Sequence, residues 1–189
     1  MMQEFIDFVH EIFPSIQPYT KEQVKKAIKQ FEQNGDLYQF FTTNSLAYLG
    51  QGDIIETLPF RTYDKTGEES IYHTKGILLS NTCDCENDNS LVFSPLLPLG
   101  KFYGGEGRFT QNLTYNLLYF PDTSLSEYIV DFGIMNTFPK NPIEERLKNG
   151  RLKKVASLNK FGYYLLLTKL SVHLLRPEDI EVQKVRAII

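Results

Sequence analysis

The chain has 189 residues, 42% hydrophobic and 23% charged, with 14 Phe, 11 Tyr and no Trp, the balance of a soluble globular protein with a largely aromatic core. A formal net charge of -3 gives no bulk reason for nucleic-acid binding, and two cysteines do not make a secreted disulfide framework. No run reaches the ~18 apolar residues of a membrane span, and Met1 to Phe5 lacks the basic and apolar regions of a leader, so a cytoplasmic protein without membrane association is expected.

Residues 1–49 read as a helical extension. Phe5, Phe8, Val9, Ile12 and Phe13 recur at helical spacing before Pro14 and Pro18 interrupt. Thr20 with Gln23 fits a capping box for a second helix. Its stripe is Val24, Ala27, Ile28 and Phe31, its other faces carry Lys21, Lys25, Lys26 and Lys29, and Asn34-Gly35 is its stop. Leu37 to Leu49 is expected to form a third, short helix.

From Gly50 the pattern becomes one of strands. Gly52 to Phe60 predicts a strand ended by proline, and Asp64-Lys65-Thr66-Gly67 a turn. Glu69 to Ser80 predicts a second strand, buried on both faces at Ile77-Leu78-Leu79. Asn81 to Asn89 reads as a polar loop. Ser90 to Leu99 is a third strand, with Pro95 and Pro98 marking an edge, a bulge or an end. Gly100 to Gly107 should turn tightly or move. Asn112 to Phe120 and Tyr128 to Phe138 read as further strands, the latter with a possible kink at Gly133. Pro142 opens a short helix through Leu147. Ser157 caps a final helix whose face carries Leu158, Phe161, Leu165, Thr168, Val172 and Leu175, and Arg176-Pro177 ends it. The fold class is α+β: a small, strongly bent antiparallel barrel between helical ends.

The order of elements after Gly52 resembles the MazF/PemK-like toxin fold, an SH3-like barrel. Gly52-Asp53-Ile54-Ile55 is similar to that family's opening Gly-Asp-Ile/Val strand. Lys75-Gly76-Ile77-Leu78-Leu79-Ser80-Asn81 resembles its Arg-Pro-x-Leu-Val-x-Ser/Gln-Asn strand, and Leu91-Val92-Phe93-Ser94-Pro95 its next one. Tyr128 to Leu147 resembles the late strand, turn and helix. The resemblance implies a barrel domain over 50–189 with an insertion around 82–127, and a setting in bacterial toxin–antitoxin systems or phage defence. It implies a ribonuclease ancestry in which an arginine stabilises charge on the phosphate. Lys75 stands near that arginine's place, and lysine lacks the bidentate fork. Ser94 stands near the family's catalytic hydroxyl.

Three functional readings follow. In the first, the protein is a binding or regulatory module, with a protein partner, a second copy of itself, or RNA as partner. In the second it is an endoribonuclease: His73 and Lys75 share one face of a strand and would act as acid/base and phosphate stabiliser, with Ser94 as supporting hydroxyl. Arg146, Arg151, Lys153 and Lys154, with Lys148 among them, form a basic cluster that would meet RNA backbone or an acidic partner, or be a solvated linker. In the third, Cys83-Asp84-Cys85-Glu86 would carry metal or redox chemistry. No second cysteine pair supports a zinc site, so Cys83 reads as a small buried residue ending a strand and Asp84 as a turn cap. No cofactor is expected. Gly104-Gly105-Glu106-Gly107-Arg108 lacks phosphate-loop spacing and reads as a loop tip. Phe102, Tyr103, Phe109, Tyr115, Tyr119 and Phe120 read as core, and His173 as a packed or surface histidine.

Overall fold

Asp53 to Tyr63 (β2) is where the sequence's strand pattern and its register first have to be reconciled. Alternation would send Ile54, Leu58 and Phe60 to one face. Instead a bulge between Ile55 and Leu58 shifts the phase. Ile54 then joins one hydrophobic cluster, while Ile55, Leu58 and Phe60 join another. One extra residue, with Glu56 and Thr57 exposed, therefore moves the second half of the strand onto the opposite core.

The computed structural model describes residues 39–186 other than 43, 45, 103–105, 123 and 176–179. The helices expected before residue 39 lie outside the described residues. Phe41–Thr42 form β1 and Glu69–Leu78 form β3. Thr82–Asn87 form α1, Ser90–Pro98 β4, Glu106–Thr110 α2, and Leu117–Tyr119 β5. Tyr128–Asp131 form β6, Asn136–Pro139 β7, Lys140–Lys148 α3, Lys154–Leu158 β8, Lys160–Leu175 α4, and Ile180–Arg186 α5. The eight strands make one antiparallel sheet in the order β1-β8-β2-β3-β4-β6-β5, with β7 on β4. The molecule is thus mixed α+β, and its sheet is open, with β1 and β5 at its edges.

The expected Tyr128–Phe138 strand is present in two pieces. β6 pairs with Leu96–Pro98 and β7 with Ser90–Phe93, and Phe132 to Met135 form the break that contains Gly133. The Asp131 carboxylate accepts the Gly133 N–H at 2.8 Å and so fixes this turn. Beyond it, Asn136 reaches back to β2: its Oδ1 accepts from Arg61 N at 2.7 Å and its Nδ2 donates to Arg61 O at 3.2 Å. One amide side chain therefore reproduces a rung of ladder between β7 and β2, which share no strand pairing. Phe138 adds edge-on contacts to Phe60 and Phe93.

Ile77, Leu78 and Leu79 alternate between the two clusters, as a strand covered on both faces requires. Leu165 and Leu166 of α4 cover one face, and Ile143 and Leu147 of α3 cover the other. The buried face of α4 differs from the expected one. Gly162, Leu165, Leu166 and Lys169 point inward, whereas Phe161 and Leu175 are exposed. The helix is apolar all round, so the sequence stripe did not fix its rotation; Gly162 did. A Cβ there would meet the Phe40 carbonyl oxygen at 2.4 Å, so only glycine permits this approach.

Residues 39–49 correct the expected third helix. Phe41 pairs with Leu158, Phe40 lies in the α4-side core, and Leu49 lies in the other. Lys154 fixes the end of this segment. Its ammonium donates to Leu46 O at 2.7 Å, Tyr48 O at 2.8 Å and the Asp53 carboxylate at 2.8 Å. Asp53, 3% exposed, also accepts from Gly50 N and Ser157 Oγ. Among the described residues no helix is long and apolar enough to cross a membrane.

Two expected outcomes follow from these buried charges. Lys154→Met leaves Asp53 buried without its counter-ion and should cost about 3 kcal/mol in urea unfolding; a loss under about 1 kcal/mol would mean that the pair contributes little. Lys169 donates to the carbonyls of Asn112 and Thr114, and burial lowers its pKa from 10.5 to about 8. The unfolded chain then holds a proton between pH 8 and 10.5 that the folded chain has released, so this residue's contribution to stability rises with pH across that window. Burial raises Tyr72 to about 12, with Asp131 adding to the shift, and Cys85 to about 11, and both pull stability the other way. The measurement is therefore the stability difference between the natural chain and Lys169→Met from pH 7.5 to 10.5, which should move in favour of the natural chain as pH rises.

Candidate functional site

Strand alternation puts His73 and Lys75 on the side of β3 that carries Ile77, and Ile77 pairs directly with Ser94. Depth, however, separates them. His73 is exposed and Lys75 half-buried, with its Nζ 4.1 Å from the centroid of the Tyr128 ring. That is cation–π geometry and holds the ammonium at the β6 side of the sheet. Ser94, on β4, is 0% exposed, and its Oγ donates to Asp131 O at 2.6 Å. The hydroxyl proton is thus committed to a backbone carbonyl, and the oxygen presents no surface to a substrate. As placed, the trio offers two surface groups and one structural hydroxyl.

Asp131 and Tyr72 were not signalled by any motif. Burial raises the Asp131 carboxyl above its ordinary range, opposed by the Gly133 N–H, the Asn116 side chain and His173. Its backbone carries Ser94 and its carboxylate carries the turn, so its chemistry is that of a corner holding β6 to β7. Only tertiary contact reveals this, because an isolated aspartate before Phe132-Gly133 reads as an ordinary turn residue.

The two cysteines sit on a short helix where a loop was expected. The Asn81 side chain accepts from Cys83 N at 2.9 Å and caps α1, so Asn81, not Asp84, is the capping residue. Residues two apart on a helix diverge: Cys83 is exposed and Cys85 is buried. This reverses the expectation of a buried Cys83. Among the described residues no group of three or more His, Cys, Asp or Glu side chains is placed to hold a metal ion. In the glycine-rich stretch, Gly104 and Gly105 lie outside the described residues, and Arg108 belongs to α2. Of the aromatic set, Phe120 lies in the core and Phe102 packs edge-on against Phe109, while Tyr115 is exposed. His173 packs beside Phe132.

Lys148, Lys153 and Lys154 of the basic cluster line a groove. α3 ends at Lys148, and Gly150, with φ +73°, turns the chain back through Leu152 into β8. Leu152 N donates to Arg146 O at 3.0 Å and closes that turn. Between it and residues 47–49 lies a cavity of about 660 Å³. Leu49, Leu147 and Leu152 form its apolar floor, and Tyr48, Glu144, Lys148 and Lys153 line it. Lys148 and Lys153 are exposed, as are Arg146 and Arg151 on the same connection. Lys154 also lines the groove, but its three donors are engaged inside the protein, so it adds no free ammonium to the rim. Such a concave site suits a ligand with apolar groups and negative charge.

The sequence matches no protein-family model and no curated protein. The geometry therefore carries the functional argument.

Ser94→Ala removes a buried donor from the Asp131 carbonyl and should cost roughly 1–2 kcal/mol in urea unfolding, with Ser94→Thr or Ser94→Cys measured beside it. A Ser94→Ala protein as stable as the natural chain would remove the structural role given to this hydroxyl.

Proposed function

We propose that this protein is a divergent MazF/PemK-like binding module, its bent sheet corresponding to that family's SH3-like barrel, and that it binds an acidic, partly apolar segment of a protein partner in the groove between α3 and residues 47–49. The observation that carries this reading is the groove itself, with its leucine floor and its exposed Lys148 and Lys153. An acidic peptide with apolar side chains satisfies both the floor and the rim; a nucleic-acid backbone would satisfy only the rim.

The barrel reading draws support from three features. The Gly52-Asp53-Ile54-Ile55 segment leads into β2 with Gly52 at φ +90°, where a Cβ would collide with Leu158. Asn136 bridges β7 to β2 at the bend. The small helix α3 and the longer helix α4 follow in the expected order. A setting in bacterial toxin–antitoxin systems or phage defence belongs to the same proposal and rests on the resemblance.

The endoribonuclease reading keeps one favourable observation: exposed His73 and half-buried Lys75 share a strand face. Against it stands Ser94, whose hydroxyl is buried and donates inward.

Two measurements decide between these readings. Purified protein incubated with mixed RNA should leave it intact; cleavage by the natural chain that disappears with Lys75→Ala would establish the enzyme and overturn the binding module. Fluorescence anisotropy with a labelled peptide of alternating Glu and Leu should show saturable binding. That binding should weaken roughly tenfold or more in the Lys148→Glu, Lys153→Glu double variant and fall with added salt. Binding that is indifferent to the double variant would place the ligand elsewhere.

A further inference from the structure

The groove between α3 and residues 47–49 is not uniformly basic, because Glu144 lies in its lining with the lysines. α3 places Glu144 and Lys148 four residues apart, on one face of the helix and about 6 Å apart along its axis. Lys140 is the preceding member of the same stripe. Its Nζ is 4.0 Å from Glu144 Oε1, beyond hydrogen-bond reach, and donates instead to Glu86 O at 2.8 Å. The Glu144 side chain is 34% exposed, so an ion pair at that distance contributes little. The helix, rather than Lys140, therefore sets where this carboxylate stands in the groove. One turn further along α3, Lys148 is exposed, as is Lys153 where the chain turns back into β8. The α3 wall thus presents a negative group and then a positive one. The opposite wall is Ala47, Tyr48 and Leu49 and carries no charge. In an extended chain, side chains two residues apart point the same way and stand about 6.6 Å apart, close to the separation of Glu144 and Lys148. The side chain between them points the other way.

We propose that Glu144 is a specificity-determining residue of this groove, and that it selects a partner segment with a basic side chain two residues from an acidic one and an apolar side chain between them. The proposal rests on the reading of the groove as a peptide site and narrows the ligand class. The segment lies extended along α3. Its cation meets Glu144, its first carboxylate meets Lys148, a further acidic residue meets Lys153, and its apolar residue faces the Ala47–Leu49 wall. A uniformly acidic segment would satisfy the lysines but set like charge against Glu144, and a uniformly basic one would do the reverse.

The test is fluorescence anisotropy on the full chain with labelled peptides of equal length. One alternates Glu and Leu; the second is identical except for Lys in place of its first Glu. The second should bind the natural chain roughly fivefold more tightly, although its net negative charge is smaller. A third peptide of the second's composition, with its Lys and nearest Glu made adjacent, should lose that advantage. Glu144→Gln should bring the first two peptides to within about twofold of each other, and Glu144→Lys should reverse their order. Glu144 belongs to neither hydrophobic cluster, so both variants should keep the natural urea midpoint. Equal affinity of the natural chain for the first two peptides, or a preference that survives Glu144→Gln, would overturn the role of Glu144. If binding were still lost in the Lys148→Glu, Lys153→Glu variant, the groove would remain the peptide site. Binding of neither peptide, or binding indifferent to that double variant, would overturn both readings.

Discussion

Asp53 is a carboxylate almost completely removed from water, and such a group is tolerated only when paired and hydrogen-bonded. Lys154 supplies the charge, Ser157 and the Gly50 N–H supply the remaining donors, and the consequences spread outward. The cluster joins β2 to β8 at the point where Asp53 and Ser157 are register partners. Lys154 goes on to hold the Leu46 and Tyr48 carbonyls, which fixes residues 46–50 against the sheet. Those residues form one wall of the groove. The same contacts that turn Lys154 inward leave Lys148 and Lys153 as the exposed lysines that line the groove. A single ion pair thus sets both the shape of the candidate site and its charge.

Several lysines are used in this way. Lys169 holds the Asn112 and Thr114 carbonyls, Lys140 donates to Glu86 O, and Lys75 lies over the Tyr128 ring. Each cation ties a helix or strand to a segment distant in sequence. Asparagines do parallel work without charge. Asn112, at φ +55°, exchanges two hydrogen bonds with the backbone of Tyr119, as Asn136 does with Arg61. Where the strands end or the sheet bends, side chains complete the ladder that the backbone cannot continue.

Much of this was legible beforehand. The strands at 52–60, 69–80 and 90–99, the two-sided burial of Ile77-Leu78-Leu79, the break near Gly133 and the short helix from Pro142 to Leu147 all follow from local patterns. The errors have physical causes. Apolar spacing in Leu37 to Leu49 is compatible with a helix, yet among the described residues there Phe41 and Thr42 pair with Leu158 and Ser157 and join the sheet. The face of α4 was misread because its apolar residues encircle it, so that the Gly162–Phe40 approach decided its rotation. The basic cluster was read as one unit because sequence records charge without recording what each charge touches.

Sequence alone determined the α+β class, the order of most elements and the apolar runs that the two cores bury, since these depend on periodicity and on turn-forming residues close in the chain. Tertiary structure alone decided that Ser94 lies inside with its proton committed, that Lys154 is internal while Lys148 and Lys153 are exposed, and that Cys85 rather than Cys83 is buried. It also decided that Asn136 reaches Arg61. These outcomes depend on depth and on contacts between residues far apart in the chain. Local pattern gives the side of a strand to which a residue points, but not what covers that side.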